Sequence, residues 1–290
     1  MVANATRASW QQGQDALRDV VQQATTVLRS VQDPAAPAVG HWTVGEVAMH
    51  LSQAWLLVPS LARGDLSEFH AVIPSSATVP GGSVIRDMWD LEKLTNQGVQ
   101  ADQERCPRVI ADRIEARAEK YLDECTGADP DAEGPWIVQG TSARRDTLTY
   151  HLLNETLVHS YDIARAAKRP FRMEPSHAAM ALGRFVVRVL QANDPRTFVN
   201  GKKAARVRAT YDLRIRGGAS FHFIFDNGEL TIVDPAARPV DCHISADPVA
   251  LLLVVFGRQS QWPAIAKGKL MAWGRKPWLG PQLNSLVRNP

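Results

Sequence analysis

Two histidines and a glutamate follow one another at four-residue intervals in the segment 150–170: His151, Glu155 and His159. On an α-helix, four residues span slightly more than one turn, so these three side chains lie along one stripe of the helix surface. Imidazole nitrogens and carboxylate oxygens are ordinary ligands of zinc and of other divalent first-row metals. The spacing therefore suggests that Glu155 and His159 point into one metal site.

A third ligand must come from a neighbouring helix, and His50 is the natural candidate. It lies in the stretch "VAMHL", where apolar residues on both sides predict that the histidine faces the interior of a helical bundle. Three protein ligands leave the remaining coordination positions to water or substrate, which is typical of a catalytic rather than a structural metal site. The predicted metal ligands are His50, Glu155 and His159.

The same residues also have simpler interpretations. A glutamate and a histidine four residues apart can form a surface pair that stabilises a helix by only about 0.2–0.5 kcal/mol. His151 is the weakest member of the stripe, because it can support a ligand, face a substrate or be merely structural. Asp162, three residues beyond His159, can orient that histidine or interact with solvent.

Composition narrows the class of protein. The 290 residues are 45% hydrophobic and 22% charged, which is ordinary for a globular chain, and the length favours two domains. A net charge of +3 gives no reason to expect nucleic acid or an anionic membrane as partner. Three scattered cysteines form neither a disulfide framework nor a thiolate metal site, so a reducing cytoplasm is expected. The longest apolar run, 250–256, is too short to span a bilayer.

Helical periodicity dominates the first two-thirds of the chain. Thr43 and Glu46 have the spacing of a capping box at the start of the second helix, and residues 65–83 have the composition of a loop. The fifth helix, which carries the histidine stripe, is expected to be capped by Thr141 or Ser142. The predicted helices span 6–31, 44–62, 84–100, 107–125 and the segment from the fifth cap to about Lys168.

After residue 196 the pattern changes to the alternation of strands. The segments 205–218, 219–225, 229–234 and 242–245 are predicted strands, with "DNG" as a hairpin turn between the second and third. An apolar helix follows Asp247, and a short helix and a strand occupy 260–274. A further helix is predicted at 174–193, and the sequence does not decide to which domain it belongs. We expect an all-α four-helix bundle over 1–172 and a small α+β domain over 173–290.

The remaining polar and aromatic residues suggest structural roles. His222 alternates with Phe221 and Phe223, which predicts a solvent-facing side chain, and His243 lies undecided on a short strand. His70 is expected in a loop. The tryptophans are expected in the core, although Trp262, Trp273 and Trp278 cluster in the tail. Arginines at 144, 145 and 216 suit a solvated face better than an anion site. Nucleophile-elbow, Walker and dinucleotide motifs are absent from the sequence.

Three stretches resemble one known family. "GHWTVGEVAMHLSQ" is similar to the second-helix signature of the maleylpyruvate isomerase N-terminal family, which belongs to the DinB-like helical bundles. "NETLVHSYDIARA" resembles the Glu-x-x-x-His-x-x-Asp helix of the same family. The tail, with "GELTIVD", "ISADPVALLLVVFGR" and "GKLMAWG", is similar to its sterol-carrier-like C-terminal half.

The resemblance implies a ligand set, cofactors and a reaction. The family's three metal ligands correspond to His50, Glu155 and His159, and the implied cofactors are a divalent metal, usually zinc, and the thiol mycothiol. The implied reaction is thiol addition to a conjugated acid, bond rotation and thiol loss. The family's substrate-binding arginine is not placed; Arg214 and Arg216 are the candidates, and a solvated strand position suits each of them better.

These observations lead to one main hypothesis and one alternative. The main hypothesis is a cytoplasmic enzyme that depends on a divalent metal and mycothiol and isomerises or thiol-conjugates a small electrophilic acid. Its expected partners are the small-molecule substrate and the low-molecular-weight thiol, with no nucleic acid and no membrane span. The alternative is a non-catalytic carrier of an apolar ligand, or a regulatory protein, with a structural metal site.

Overall fold

A computed structural model describes residues 2–72, 89–137, 141–192 and 198–287, and the chain divides into two compact units, Met1–Met173 and Glu174–Pro290. The elements of the first unit are, in chain order, α1 (Val2–Ser30), β1 (Pro37–Val39), β2 (Trp42–Thr43), α2 (Val44–Ala62), α3 (Ser67–Val72), α4 (Trp89–Ala101), α5 (Pro107–Glu124), β3 (Glu133–Pro135), β4 (Ser142–Arg144) and α6 (Arg145–Ala166). No helix among the described residues combines the length and apolarity of a bilayer span.

Four of these helices form the bundle that the sequence predicts. Helices α1 and α2 each pack against both α5 and α6. The apolar stripe of α1 lies in the core, as expected from its periodicity; its buried members are Trp10, Leu17, Val20, Val21, Ala24, Val27 and Leu28. The predicted capping box starts α2: the Thr43 hydroxyl accepts from the Glu46 N–H at 3.3 Å, and the Glu46 carboxylate accepts from the Thr43 N–H at 2.8 Å.

Buried hydrogen bonds fix the helices of the bundle against α6. The indole N–H of Trp10 on α1 and the hydroxyl of Tyr121 on α5 both lie 2.7 Å from the hydroxyl oxygen of Thr149. The indole N–H of Trp55 on α2 donates to the Thr156 hydroxyl at 3.1 Å. A buried indole N–H without a partner is costly, so these bonds favour one rotational setting of each helix.

Three predictions for the first unit are corrected. Part of the loop expected at 65–83 is the helix α3, because the Asp65 carboxylate accepts from the Ser67 N–H at 2.9 Å and so caps a helical turn, and His70 lies on this helix. Residues 73–88, which include the expected start of the third helix, lie outside the described residues. The predicted fifth helix, which carries the histidine stripe, is α6. It begins at Arg145 with Arg144 as N-cap, because Ser142 pairs with Pro135 in the β3–β4 hairpin and cannot cap the helix.

The second unit is α+β, as the sequence predicts. Its elements are α7 (Pro175–Met180), a π-helix (Ala181–Val186), α8 (Val187–Ala192), α9 (Gly201–Ala204), β5 (Arg208–Ile215), β6 (Ser220–Asp226), β7 (Glu229–Val233), β8 (Cys242–Ala246), α10 (Pro248–Val255), α11 (Gln261–Ala266), β9 (Leu270–Trp273), a 3-10 helix (Pro277–Gln282) and α12 (Leu283–Leu286). The helix left open at 174–193 is therefore part of this unit, with residue 193 outside the described residues.

One five-stranded sheet organises the second unit, in the order β7-β6-β5-β8-β9. Strands β5 and β8 are parallel and the other pairs are antiparallel. The predicted "DNG" turn joins β6 to β7, with Asn227 at φ 51° and Gly228 at φ 93°, the backbone that a two-residue hairpin requires. One sheet face is apolar and buried, with Tyr211, Leu213, Phe221, Phe223 and Ile244 among its members.

Two predictions for the second unit are wrong. His222 is only 4% exposed, although it was expected to face solvent. It does lie on the other face of the sheet from Phe221 and Phe223, but β6 is an inner strand and this face is also buried at His222. The three tryptophans of the tail are not core residues. Trp262, Trp273 and Trp278 are 62%, 41% and 63% exposed, because they lie on short peripheral helices and on the edge strand β9.

Candidate metal centre

Packing of α2 against α6 brings His50 to the histidine stripe. Trp55 lies five residues after His50, and its partner Thr156 directly follows Glu155. The hydrogen bond between Trp55 and Thr156 thus fixes the two helices against each other close to the stripe. His50, Glu155 and His159 each offer one ligand atom, and these three atoms all lie within 4.8 Å of one another.

The two histidines approach the same oxygen of the carboxylate. Nε2 of His50 lies 3.2 Å from Oε2 of Glu155, and Nε2 of His159 lies 3.4 Å from the same oxygen. Their imidazole rings meet edge to face, with centroids 4.7 Å apart. The side chains of His50, Glu155 and His159 are 19%, 16% and 12% exposed, so the cluster is largely buried but not fully closed to solvent.

This donor set fits a divalent transition metal. With bonds of about 2.0–2.1 Å to nitrogen and oxygen, two ligands of a tetrahedral zinc ion are about 3.3 Å apart. The two separations to Glu155 Oε2, 3.2 and 3.4 Å, are close to that value. Two imidazoles and one carboxylate are also the ligand types of catalytic zinc sites with an open position.

The electrostatics of the cluster favour a carboxylate anion. Burial by itself raises the pKa of Glu155, but hydrogen bonds with His159 and His50 outweigh it and hold that pKa well below its usual range. Burial lowers the pKa of His159, whereas Asp162 and Glu155 raise it, with a net pKa of about 9. Without a metal, His159 therefore holds a proton that metal binding must displace.

The two further residues of the predicted site lie next to this cluster. Asp162 is fully buried, and its Oδ2 lies 3.3 Å from Nδ1 of His159, the ring nitrogen opposite to the one that faces Glu155. Nε2 of His151 lies 3.7 Å from Oε1 of Glu155, the oxygen that the other two histidines do not approach. Burial lowers the pKa of His151, which favours its neutral form.

Two tryptophans, which the sequence analysis did not assign to the site, line its surroundings. The Trp42 ring contacts His50 with centroids 5.2 Å apart, and its indole N–H donates to Asn96 Oδ1 at 2.8 Å. Trp136 meets the ring of His151 edge to face at 6.5 Å. Trp42 directly precedes Thr43, the N-cap of the helix that carries His50, so the sequence did contain a signal that places it near the site. Trp136 carries no comparable sequence signal.

The arginines considered in the sequence have other partners. Arg144 pairs with Asp131 and Asp146, and Arg145 donates to the Ala62 carbonyl at 3.2 Å. In the second unit, Arg214 pairs with Asp212 at 2.7 Å. The Arg216 guanidinium donates to the backbone carbonyl of Lys269 at 2.6 Å.

Comparison with known proteins identifies the family. Residues 6–164 match the family described as the mycothiol maleylpyruvate isomerase N-terminal domain. The chain belongs to this family. Residues 190–274 match the SCP-2 sterol transfer family, which agrees with the α+β fold of the second unit. No curated protein matches the sequence.

Solved structures of similar fold cover almost the whole chain. The crystal structure of the mycothiol-dependent maleylpyruvate isomerase aligns with a TM-score of 0.51 and 13% identity, over 91% of this chain and 92% of that one. A histidine-to-alanine mutant of the same enzyme aligns over the same shares, with a TM-score of 0.50 and 12% identity. At 13% identity, this similarity shows only that the chain shares the fold of that enzyme.

Proposed function

We propose that this member of the mycothiol maleylpyruvate isomerase N-terminal domain family is a metal-dependent enzyme that uses mycothiol on a small electrophilic acid. The observation that carries the proposal is the convergence of His50, Glu155 and His159, whose ligand atoms lie within 4.8 Å of one another on two helices. A largely buried set of two histidines and one glutamate has the composition of a catalytic metal site.

The proposed ligands are His50 and His159 through Nε2 and Glu155 through Oε2. Asp162 Oδ2 lies 3.3 Å from Nδ1 of His159, although the two atoms do not have hydrogen-bond geometry in the described part of the chain. A small rotation of the ring would let the carboxylate accept from Nδ1, which leaves the lone pair on Nε2. His151 faces the other oxygen of Glu155 and limits how the carboxylate can rotate. A divalent cation, with zinc preferred by this ligand set, supplies a charge that stabilises a thiolate at neutral pH or polarises a substrate carbonyl.

The proposed reaction begins with the thiol. The thiolate sulfur forms a bond to one carbon of the conjugated double bond, and the π electrons move onto the adjoining carbonyl as an enolate. The former double bond is then a single bond that can rotate. Re-formation of the double bond with loss of the thiolate gives the isomer, whereas uptake of a proton from solvent at carbon gives the conjugate. Trp42 and Trp136 provide an apolar wall beside the histidines, which suits a small organic substrate better than a large polar one.

A thiol screen tests this proposal. The zinc-loaded protein is incubated with maleylpyruvate or another conjugated electrophilic acid, together with mycothiol, glutathione or no thiol. We expect substrate loss that needs mycothiol. In His50→Ala it should fall at least about 100-fold, the upper end of the range for losing a residue that only supports a metal ligand, because His50 is proposed as a ligand itself. His70→Ala is the matched control and should retain the activity. Turnover that is independent of thiol, or equal in His50→Ala and the wild type, contradicts the proposal.

The match of residues 190–274 to the SCP-2 sterol transfer family favours a second candidate, a carrier of an apolar ligand. Mass spectrometry of an organic extract of the purified protein separates the two. A stoichiometric lipid together with no thiol-dependent turnover supports the carrier, and the opposite pair of results supports the enzyme.

A further inference from the structure

A row of polar and aromatic side chains crosses the second face of the sheet. The strand register pairs His222 with Asp212, Asp212 with His243, and His243 with Trp273, on the four strands β6, β5, β8 and β9. The side chains of Asp212 and His222 are each 5% exposed, and that of His243 is 27% exposed. The row therefore begins in the interior and ends at the surface on the edge strand.

The ring of His243 is held on three sides. Its Nδ1 lies 2.8 Å from Oδ2 of Asp212, and its face stacks on Trp273 with centroids 5.4 Å apart and an angle of 18° between the rings. Gly274, at φ 111°, passes so close to the ring that a Cβ there would lie 3.1 Å from its Cδ2. An imidazole fixed in this way has one orientation before any ligand arrives.

The contact with Asp212 also determines which nitrogen carries the proton. The Asp212 carboxylate already accepts a hydrogen bond from Nε of Arg214 at 2.7 Å, and an ionised carboxylate can only accept. Nη2 of Arg214 is 3.5 Å from Nδ1 of His243, a much weaker contact than the 2.8 Å contact with Asp212. Nδ1 therefore carries the hydrogen, and the neutral ring presents the Nε2 lone pair.

The open edge of His243 has apolar neighbours. Among the described residues, the hydrogen bonds of the His243 ring all involve Nδ1. Trp273 and Met271 are two residues apart on β9 and so lie on one face of that strand, where they are 41% and 48% exposed. Met271 pairs with Ser245, the residue two positions after His243. The Arg214 guanidinium lies 5.6 Å from the centroid of the Trp273 ring. A proton acceptor beside an exposed indole and a thioether is suited to a ligand that is flat, apolar and carries one hydroxyl group.

Stability does not explain this arrangement. Apolar side chains would stabilise a buried sheet face at least as well as a buried carboxylate with two histidines, because both kinds of polar group lose their hydration. Nδ1 of His222 has no hydrogen-bond partner within the described part of the chain, although the residue is only 4% exposed. A polar network that is costly and incompletely satisfied is characteristic of a functional site.

We propose that this face of the second unit is a further small-molecule site, where His243 accepts a hydrogen bond or the proton from a phenol or enol placed against Trp273 and Met271. On full transfer, the O–H bond of the ligand breaks and the Nε2–H bond forms. The negative charge remains on the ligand oxygen beside the imidazolium. Asp212 acts as a positioning residue, and the site does not rest on the metal centre or on the thiol chemistry.

Equilibrium dialysis with two matched probes tests the site. The probes are 4-methylphenol and 4-methylanisole, which share one flat ring and are both uncharged at neutral pH, but of which only the phenol has a hydroxyl proton to donate. We expect saturable binding of the phenol to the full-length chain and roughly three- to tenfold weaker binding of the anisole, the range that one hydrogen bond contributes. His243→Phe keeps a flat ring against Trp273 but has no acceptor, so it should lower the affinity for the phenol to that for the anisole and leave the anisole unchanged, whereas Trp273→Ala should weaken both.

Two controls locate the binding. Trp262→Ala removes another exposed tryptophan and should leave both affinities unchanged, and His50→Ala should do the same if the probes avoid the metal centre. Equal affinity for the two probes in the unmodified protein overturns the proposal, as does the absence of saturable binding. Unchanged phenol binding in a folded His243→Phe protein, or its loss in His50→Ala, also overturns it. The phenol–anisole comparison needs no variant, so it stays decisive if a substitution prevents folding.

Discussion

His50 and Glu155 are 105 positions apart in the chain, yet Nε2 of His50 lies 3.2 Å from Oε2 of Glu155. The contact joins two helices of the bundle, and His159 approaches the same oxygen from one turn further along α6. A close approach of three side chains that can all bind one cation is the structural basis of the function proposed here.

The buried Asp162 gives a prediction about metal affinity. Its carboxylate faces Nδ1 of His159, so Asp162→Asn should weaken the hold on that ring and lower metal affinity roughly 10- to 100-fold. The measurement is competition for zinc with a chromogenic chelator. Asp112→Asn, an exposed carboxylate that pairs with Arg29, is the control and should leave the affinity unchanged. Equal affinities in Asp162→Asn and the wild type would show that Asp162 does not support the ligand.

Thr149 gives a prediction about the stability of the bundle. Its hydroxyl oxygen accepts from the indole N–H of Trp10 at 2.7 Å and lies 2.7 Å from the hydroxyl of Tyr121. Thr149→Val leaves the buried indole N–H of Trp10 without this acceptor, whereas Tyr121 keeps its hydrogen bond with Cys125. The free energy of unfolding should therefore fall by about 1–3 kcal/mol. Urea denaturation followed by circular dichroism measures the change.

The control for Thr149→Val is the same substitution at an exposed position. Thr26 is exposed and bonds only to the Gln22 carbonyl of its own helix, so Thr26→Val should change the free energy of unfolding by less than about 0.5 kcal/mol. A similar loss in both variants would mean that the buried hydroxyl has no special role.

Asp241 gives a prediction about pH. Burial raises its pKa, but Arg275, the backbone N–H of Thr210 and Lys276 outweigh burial and lower the pKa from 3.8 to about 2. A carboxyl whose pKa is lower in the folded state stabilises that state above pH 3.8, and the contribution disappears as the pH falls towards 2. Asp241→Asn should therefore cost about 2 kcal/mol at neutral pH and progressively less in acid.

Denaturation of the Asp241→Asn and wild-type proteins at about pH 7 and about pH 3 measures this difference. Asp226→Asn is the control, because Asp226 and its partner Arg208 are both largely exposed and such pairs contribute little. A difference between wild type and Asp241→Asn that is independent of pH would contradict the assignment of the lowered pKa to this carboxyl.

Local periodicity made part of the structure predictable from the sequence. The capping box of α2, the apolar stripe of α1 and the hairpin turn at Asn227 depend on residues within a few positions of one another, and all three are present. The stripe of Glu155 and His159 is of the same kind. His50 was linked to it by its apolar flanks and by the family resemblance, and its distance from Glu155 depends on the packing of α2 against α6.

Features that depend on strand register could not be predicted in this way. Ser142 was expected to cap a helix, but pairing with Pro135 places it in a hairpin. Likewise, the alternation of β6 gave the side of the sheet on which His222 lies but not its burial. The row His222–Asp212–His243–Trp273 requires the register of four strands, one pair of which is parallel and not adjacent in sequence.

Metal analysis tests the central claim most directly. The protein is purified without a histidine tag, and metal content is measured by plasma mass spectrometry for the wild type, His50→Ala, His159→Ala and the control His70→Ala. The account predicts one divalent ion per wild-type and His70→Ala chain, with zinc as the expected element, and a large loss of metal from His50→Ala and His159→Ala. Equal metal content in folded His50→Ala and wild-type protein would contradict it.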